Sequence, residues 1–250
     1  MSAKVRINRW LASAGIGSRR KCDELIRAGL VSVNGETLTQ LGTLVDPDLD
    51  SIAVEGCVIA RADAPMVLVL NKPAGVLSTV TDSFNRRTVI DLAREHGFLE
   101  RLYPVGRLDL DTSGILLLTN DGDLAYRLTH PRFKIEKTYR LTVDGNVGDD
   151  SIAAIESGVE IGGYRTKPCK VAIVGRVSGA TNLEVRLTEG RKRQIRRMFE
   201  LFDHRTIELA RTALGDLCFG DLLPGAMRLL SEHEERRLRE LAGLIREGEE

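Results

Sequence analysis

Apolar residues recur with a helical period at the start of the chain. Ile7, Trp10, Leu11 and Ala14 fall at i, i+3, i+4 and i+7, one face of a helix. Gly15-Ile16-Gly17 breaks that pattern, and Ser18 is placed to N-cap a second helix whose apolar side is Cys22, Leu25 and Ile26. Gly29 stands where a left-handed C-terminal residue belongs. Val31 and Val33 then alternate into Asn34-Gly35, the pair that a two-residue hairpin turn favours. Asp46-Pro47-Asp48-Leu49-Asp50 reads as a further turn in the same unit.

The pattern changes after a linker expected near 61–65. Met66–Leu70 and Ile115–Leu118 are short, continuous apolar runs, the mark of strands buried on both faces. Asn120-Asp121-Gly122 is a turn signal closing the second run. Over 135–143, alternation places Ile135, Tyr139, Leu141 and Val143 on one face, and Leu183, Val185 and Leu187 alternate likewise up to Glu189-Gly190. Thr88 is a helix cap ahead of Val89, Leu92 and Ala93. Ser231-Glu232-His233-Glu234 reads as a capping box opening a helix with Leu238, Leu241, Ala242 and Ile245 on one side. Strands and helices without regular βαβ alternation give an α+β fold: a small domain over 1–63 (helix pair plus hairpin) and a domain over 64–250 with a mainly antiparallel sheet flanked by helices.

Composition narrows the class. With 42% hydrophobic residues, the 250-residue chain can bury one or two ordinary cores. No apolar run approaches the roughly 20 residues that span a bilayer. Met1-Ser2-Ala3-Lys4-Val5-Arg6 carries no apolar signal core. The expectation is a cytoplasmic protein with no membrane partner. Cys22, Cys57, Cys169 and Cys218 are far apart, without a CxxC pair or histidines at ligand spacing, so free thiols and no metal site are expected.

The formal net charge of zero hides two cationic patches. Lys4, Arg6, Arg9, Arg19, Arg20, Lys21 and Arg27 face only Asp23 and Glu24 in the first, and the second runs Arg191-Lys192-Arg193-Gln194-Ile195-Arg196-Arg197. Two adjacent helices with the same basic excess are as consistent with RNA as with a solvated surface. Their residues also resemble the S4 RNA-binding domain: Ile7-Asn8-Arg9-Trp10-Leu11-Ala12, Gly17-Ser18-Arg19-Arg20, Ile26-Arg27-Ala28-Gly29 and Val31-Ser32-Val33-Asn34-Gly35. That resemblance implies a helix pair laid against structured RNA.

Asp109 is flanked by Leu108 and Leu110 and precedes a buried strand. A carboxylate so placed is paired, hydrogen-bonded or used in chemistry. Read from polarity alone, an Arg107–Asp109 or Arg107–Asp111 pair bracing the loop is the plainer account. The surrounding string, Gly106-Arg107-Leu108-Asp109-x-x-Thr112-Ser113-Gly114 followed by an apolar run and Asn120-Asp121-Gly122, resembles the catalytic motif of RNA pseudouridine synthases. Three more segments match in order: Leu70-Asn71-Lys72-Pro73-Ala74-Gly75-Val76, then His130-Pro131 with Glu136-Lys137-Thr138-Tyr139, then Leu187-Thr188-Glu189-Gly190-Arg191-x-x-Gln194-Ile195-Arg196-Arg197-Met198-Phe199. The likeness is to the branch that modifies ribosomal RNA and carries an S4 domain, most of all to its large-subunit synthase B group. Agreement is weakest over Phe202–Leu214.

The resemblance implies isomerisation of a ribosomal RNA uridine, large-subunit RNA before small-subunit RNA, without a cofactor or an obligatory protein partner. No dinucleotide fingerprint or P-loop is found in the sequence, which is consistent with that reading. The partner would be ribosomal RNA or a ribosome-assembly intermediate. Asp109 would be the essential carboxylate, acting on C1′ or on a ribose proton, with Arg196 holding it ionised. Tyr139 would stack on the target base and handle the C5 proton. On the helix expected in the third motif, Arg196 sits at the edge of the apolar face formed by Ile195, Met198, Phe199 and Phe202. Arg193 and Arg197 point away from it, toward RNA or water. Lys72 is expected to support the loop near Asp109, to touch phosphate, or to be a surface lysine. Arg107 completes the expected RNA contacts. The alternative, a non-catalytic S4-type RNA-binding or ribosome-assembly factor, would lack one of Asp109, Tyr139 and Arg196, and all three are present.

Overall fold

Local chemistry sets the first elements. In the computed structural model, which describes residues 4–60, 64–218 and 220–245, helix α1 (Ile7–Ser13) buries Ile7, Trp10 and Leu11. The Ser18 hydroxyl accepts from Lys21 N at 3.1 Å and starts α2 (Arg19–Arg27), which buries Cys22 and Ile26. The two helices are tied by Asn8 Nδ2 donating to Asp23 Oδ1 at 2.8 Å. Strands Val31–Val33 and Glu36–Leu38 close through Asn34 (φ 52°) and Gly35 (φ 85°), a turn that needs left-handed backbone at both positions. Asp50 holds the 46–50 turn, accepting from Asp46 N at 2.7 Å and from Asn34 Nδ2 at 2.9 Å. Ile7, Trp10, Leu11, Cys22, Ile26, Val31, Val45 and Ile52 form this unit's core, each large aliphatic contributing about 1.5–3 kcal/mol.

The chain divides into two compact units, Met1–Pro65 and Met66–Glu250. Residues 61–63 of the expected linker lie outside the described residues. The second unit is a nine-stranded sheet with main path 170–177, 180–187, 137–144, 206–214, 113–119, 67–72, 227–229. Its neighbours are antiparallel except at one seam, where Ala210 and Arg211 pair in parallel with Ser113 and Gly114. Gly114 is obligatory there: its φ is +103°, and a Cβ would lie 2.1 Å from the Arg211 carbonyl oxygen.

Both sheet faces are covered, which is why the central strands are apolar at every position. Leu68, Leu70, Leu116 and Leu118 point to one core, beneath α3 (Val89–Glu95), α5 (Asp149–Ser157) and α6 (Gln194–Glu200). Val67, Val69, Ile115 and Leu117 point to the other, beneath α4 (Gly122–Thr129) and α7 (Glu232–Leu241). Thr88 and Ser231 each form the side-chain and backbone halves of a capping box, the first with Asp91 and the second with Glu234. Among the described residues, no helix is long and apolar enough to cross a membrane, and no group of three His, Cys, Asp or Glu is placed to hold a metal. Among the described residues, none of the four cysteines is in a disulfide.

Three expectations are corrected. Ile135 does not share a face with Tyr139, Leu141 and Val143; it precedes strand Lys137–Asp144 and packs in the opposite core. The strand's pairing with Thr206–Leu214 also shifts register between Thr138 and Tyr139, breaking simple alternation. Asn120-Asp121-Gly122 is more than a turn, because the Asp121 carboxylate accepts from Asp123 N (3.0 Å) and Leu124 N (3.1 Å) and starts α4. Helix α7 stops at Leu241, with Ala242 as its cap and Gly243 at φ +64°, so Ile245 lies beyond it.

Candidate active site

The Gly106–Thr112 segment lies between the short strand Tyr103–Pro104 and strand Ser113–Thr119. Thr112 N donates to Asp109 O at 3.1 Å, closing a turn that presents the half-buried Asp109 side chain. Three residues of the 72–78 stretch pin this loop. Lys72 Nζ donates to Thr112 O and Pro73 O, both at 2.9 Å. Gly75 N donates to Leu110 O at 2.7 Å, and the Ser78 hydroxyl donates to Leu108 O (3.0 Å) while accepting from Leu108 N (3.2 Å).

The loop opens on a cleft of about 330 Å³. Asp109, Thr112, Tyr139, Leu187, Leu209 and the 190–195 stretch line it, together with Gly106, Arg107 and Leu108. Tyr139 is 8% exposed. Asp109 and Tyr139 come from separate segments and meet here. Four cations (Arg107, Arg191, Lys192 and Arg193) and a single carboxylate line the cleft, so its field favours a polyanion.

Arg196 is placed differently from the expectation. It is 5% exposed and does not line the cleft. Its guanidinium clasps Asp111, not Asp109: Nη2 donates to Asp111 O at 2.9 Å, Nε lies 3.3 Å from Asp111 Oδ2, and Nη1 donates to Thr206 O at 3.2 Å. The turn at Asp109–Thr112 swings Asp111 toward α6 while Asp109 faces the cleft. Burial pushes the Asp111 carboxyl up, but the Arg193 hydrogen bond and the charges of Arg196 and Arg193 outweigh it and hold the group below its ordinary value.

Arg193 lines the cleft, but it is also paired. It takes left-handed backbone (φ 53°) at the N-cap of α6, and its Nη1 donates to Asp111 Oδ2 at 2.9 Å. Arg197 is exposed and does not line the cleft; a Cβ on Gly162 would lie 3.0 Å from its Nη1. Neither arm of the proposed Arg107 bracing pair forms; Arg107 is exposed on the cleft wall, and Asp111 is taken by α6. Lys72 is neither a surface lysine nor a phosphate contact, since it is fully buried under the loop. Burial pushes its pKa down to about 8, against the pull of Asp111 and Asp109. In the first unit, Arg6, Arg19, Arg20, Lys21 and Arg27 are exposed and Arg9 is half-buried. Lys21 lies 3.5 Å from Glu24.

Sequence reasoning missed two sets of residues. Gln194, 4% exposed, donates to Glu189 Oε1 at 2.6 Å and accepts from Arg191 N at 3.0 Å, while Glu189 Oε1 also takes Lys167 N at 2.9 Å. This network shapes the cationic loop; its signal was an uncharged polar residue inside a run of cations. Arg211, 3% exposed, stands opposite Tyr139 across the strands and donates from Nε to Ile115 O at 2.9 Å. It lies in the stretch of weakest resemblance, where nothing marked it.

Comparison with known proteins agrees with this architecture. Residues 66–201 match the RNA pseudouridylate synthase family and residues 5–50 match the S4 domain. The chain is 40% identical over 239 residues to the ribosomal large subunit pseudouridine synthase B of Bacillus subtilis, covering 95% of this chain and 96% of that one. It is 38% identical over 242 residues to an RNA pseudouridine synthase of Aquifex aeolicus, covering 96% of each. A crystal structure of a pseudouridylate synthase superimposes with a TM-score of 0.66 at 28% identity, over 94% of this chain and 99% of the other.

Proposed function

The chain belongs to the RNA pseudouridylate synthase family, as an S4 domain followed by a synthase domain, and we propose that it isomerises a uridine of large-subunit ribosomal RNA through Asp109. The observation that carries this reading is the meeting of Asp109 and Tyr139 in one cationic cleft. At about 330 Å³ the cleft is at the small end of ligand sites, of the order of a single nucleoside. A target uridine therefore leaves its stack to enter.

In the reaction, the N1–C1′ bond breaks, the uracil turns, and a C5–C1′ bond forms. The proton lost from C5 is balanced by one gained at N1. Ionised Asp109 either attacks C1′ or removes a ribose proton, and both routes need the carboxylate facing the sugar. Tyr139 stacks on the base and handles the C5 proton. Lys72, Gly75 and Ser78 keep the loop from yielding, and Arg196 with Asp111 fixes it to α6. The large-subunit assignment is supported by the likeness to the Bacillus subtilis synthase B. The S4 unit, with Arg20 and Arg27 exposed on α2, grips a structured element of the same RNA. The working compartment is the cytoplasm, where ribosomal RNA or an assembly intermediate is the partner.

The test is to incubate the purified protein separately with unmodified large-subunit rRNA, small-subunit rRNA and tRNA, and to map pseudouridines. One site in large-subunit rRNA is expected. A site confined to tRNA would refute the ribosomal assignment, and one confined to small-subunit rRNA would refute the choice of subunit.

A further inference from the structure

We infer that Arg191 is the phosphate clamp of the cleft, gripping the RNA backbone beside the target uridine, and that Tyr164 is the residue that positions it. The inference rests on the proposed RNA substrate and goes beyond it by naming which cation takes the phosphodiester.

The cations of the third motif are not equivalent. Arg193 and Arg196 are both engaged by Asp111, and Arg197, exposed beside the Gly162 turn, does not line the cleft. Arg191 lines the cleft and, among the described residues, has no carboxylate in ion-pair contact. It nevertheless has a seat. Its guanidinium carbon stacks 3.9 Å from the centre of the Tyr164 ring, and its backbone N–H is fixed by Gln194 Oε1 at 3.0 Å. Lys192 lines the same cleft without such a seat.

Stacking occupies the face of a guanidinium and leaves its N–H edge free. That edge is the part that recognises a phosphate through two parallel hydrogen bonds. The seat is built for this purpose by the hairpin Glu160–Ile161 and Tyr164–Arg165, whose turn is Gly162-Gly163. The Tyr164 hydroxyl is buried and makes no hydrogen bond in the described structure. The ring, not the hydroxyl, is therefore the working part. A cation immobilised before binding loses less side-chain entropy when it closes on the ligand.

The experiment measures binding of a fluorescent single-stranded RNA oligonucleotide with one central uridine, by anisotropy across a salt series. Arg191→Ala weakens binding about tenfold, the scale of a charge-assisted contact, and flattens the salt dependence by about one phosphate. Tyr164→Leu reproduces much of that loss, and Tyr164→Phe restores it. Probes with a single uncharged methylphosphonate linkage then locate the contact: at one linkage, neutralisation and Arg191→Ala give no more loss together than either gives alone. The inference is overturned if Arg193→Ala flattens the salt dependence as much as Arg191→Ala. It is also overturned if Tyr164→Phe is as damaging as Tyr164→Leu, or if the two losses add at every linkage. Isomerisation is assayed separately on the same proteins, so absence of turnover counts against the proposed reaction while the binding pattern still decides the clamp.

Discussion

Arg196 holds Asp111 by both its carboxylate and its main chain, with Nε 3.3 Å from Oδ2 and Nη2 donating 2.9 Å to the carbonyl oxygen. Truncating this side chain leaves the carbonyls of Asp111 and Thr206 without their donor. Arg196→Ala should therefore cost about 2–4 kcal/mol in urea unfolding and lower turnover, with Arg196→Lys recovering only part because an ammonium cannot span the three acceptors. Wild-type stability in Arg196→Ala would contradict the clasp. The Asp111 carboxyl is held below its ordinary value of 3.8, so its contribution is present above that value and is lost as pH falls through the lowered one. The stability gap between the protein and Asp111→Asn should be full near neutrality and close only in strong acid.

Asp109 and Tyr139 separate chemistry from binding. Asp109→Asn should abolish isomerisation in a purified assay while melting and RNA affinity stay near those of the parent. Tyr139→Phe keeps the ring and removes the hydroxyl, so its rate should fall by about 100-fold or more with affinity retained. More than trace activity in Asp109→Asn would end the assignment of that residue.

Lys72 gives a signature on the alkaline side. Its folded-state pKa is about 8 against 10.5 for the free side chain, so between these values the unfolded state binds more protons and stability from this group rises with pH. Lys72→Met should be less stable than the parent throughout, because the Thr112 and Pro73 carbonyls lose their donor. The gap should widen from pH 8 to about pH 10.5. A gap that narrows over that range in chemical denaturation would show that the ammonium is not buried in solution.

Arg20 and Arg27 lie seven positions apart on the exposed face of α2, opposite Cys22 and Ile26. Replacing both with alanine in the full chain should weaken binding to structured rRNA fragments and reduce the salt slope by about two phosphates, without altering affinity for a short single-stranded probe. Equal losses on both ligands would remove the S4 helix pair from structured-RNA recognition.

Much of this was legible because it is local. Ser18, Thr88 and Ser231 announce their helices through hydrogen bonds within three residues, and Asn34-Gly35 fixes a hairpin by its backbone preference alone. The cleft residues Asp109 and Tyr139 followed from the resemblance of their segments to the motifs of the synthase family, not from polarity or periodicity. What escaped depends on distant pairing. The turn that sends Asp111 to Arg196 also keeps Asp109 in the cleft, and alternation along an extended chain does not reveal it. Lys72 was expected to support the loop near Asp109, to touch phosphate or to be a surface lysine; the first holds, and the choice stayed open because its two acceptors are main-chain carbonyls, which carry no sequence signature. Asp121 served as both turn signal and helix cap, and only the latter produced α4.

The parallel seam at Gly114 has a temporal consequence. Strand Thr206–Leu214 supplies Leu209 to the cleft, the Thr206 carbonyl to Arg196 and the parallel partner of Ser113 and Gly114. A nascent chain halted before this strand would already carry Asp109, Tyr139 and the loop's contacts with Lys72, Gly75, Ser78 and Arg196, yet would lack Leu209 in the cleft, the Thr206 carbonyl that receives Arg196 and the parallel pairing of Ser113 and Gly114. The capacity to modify RNA therefore arrives late in synthesis, once the strand has slotted between its two older neighbours.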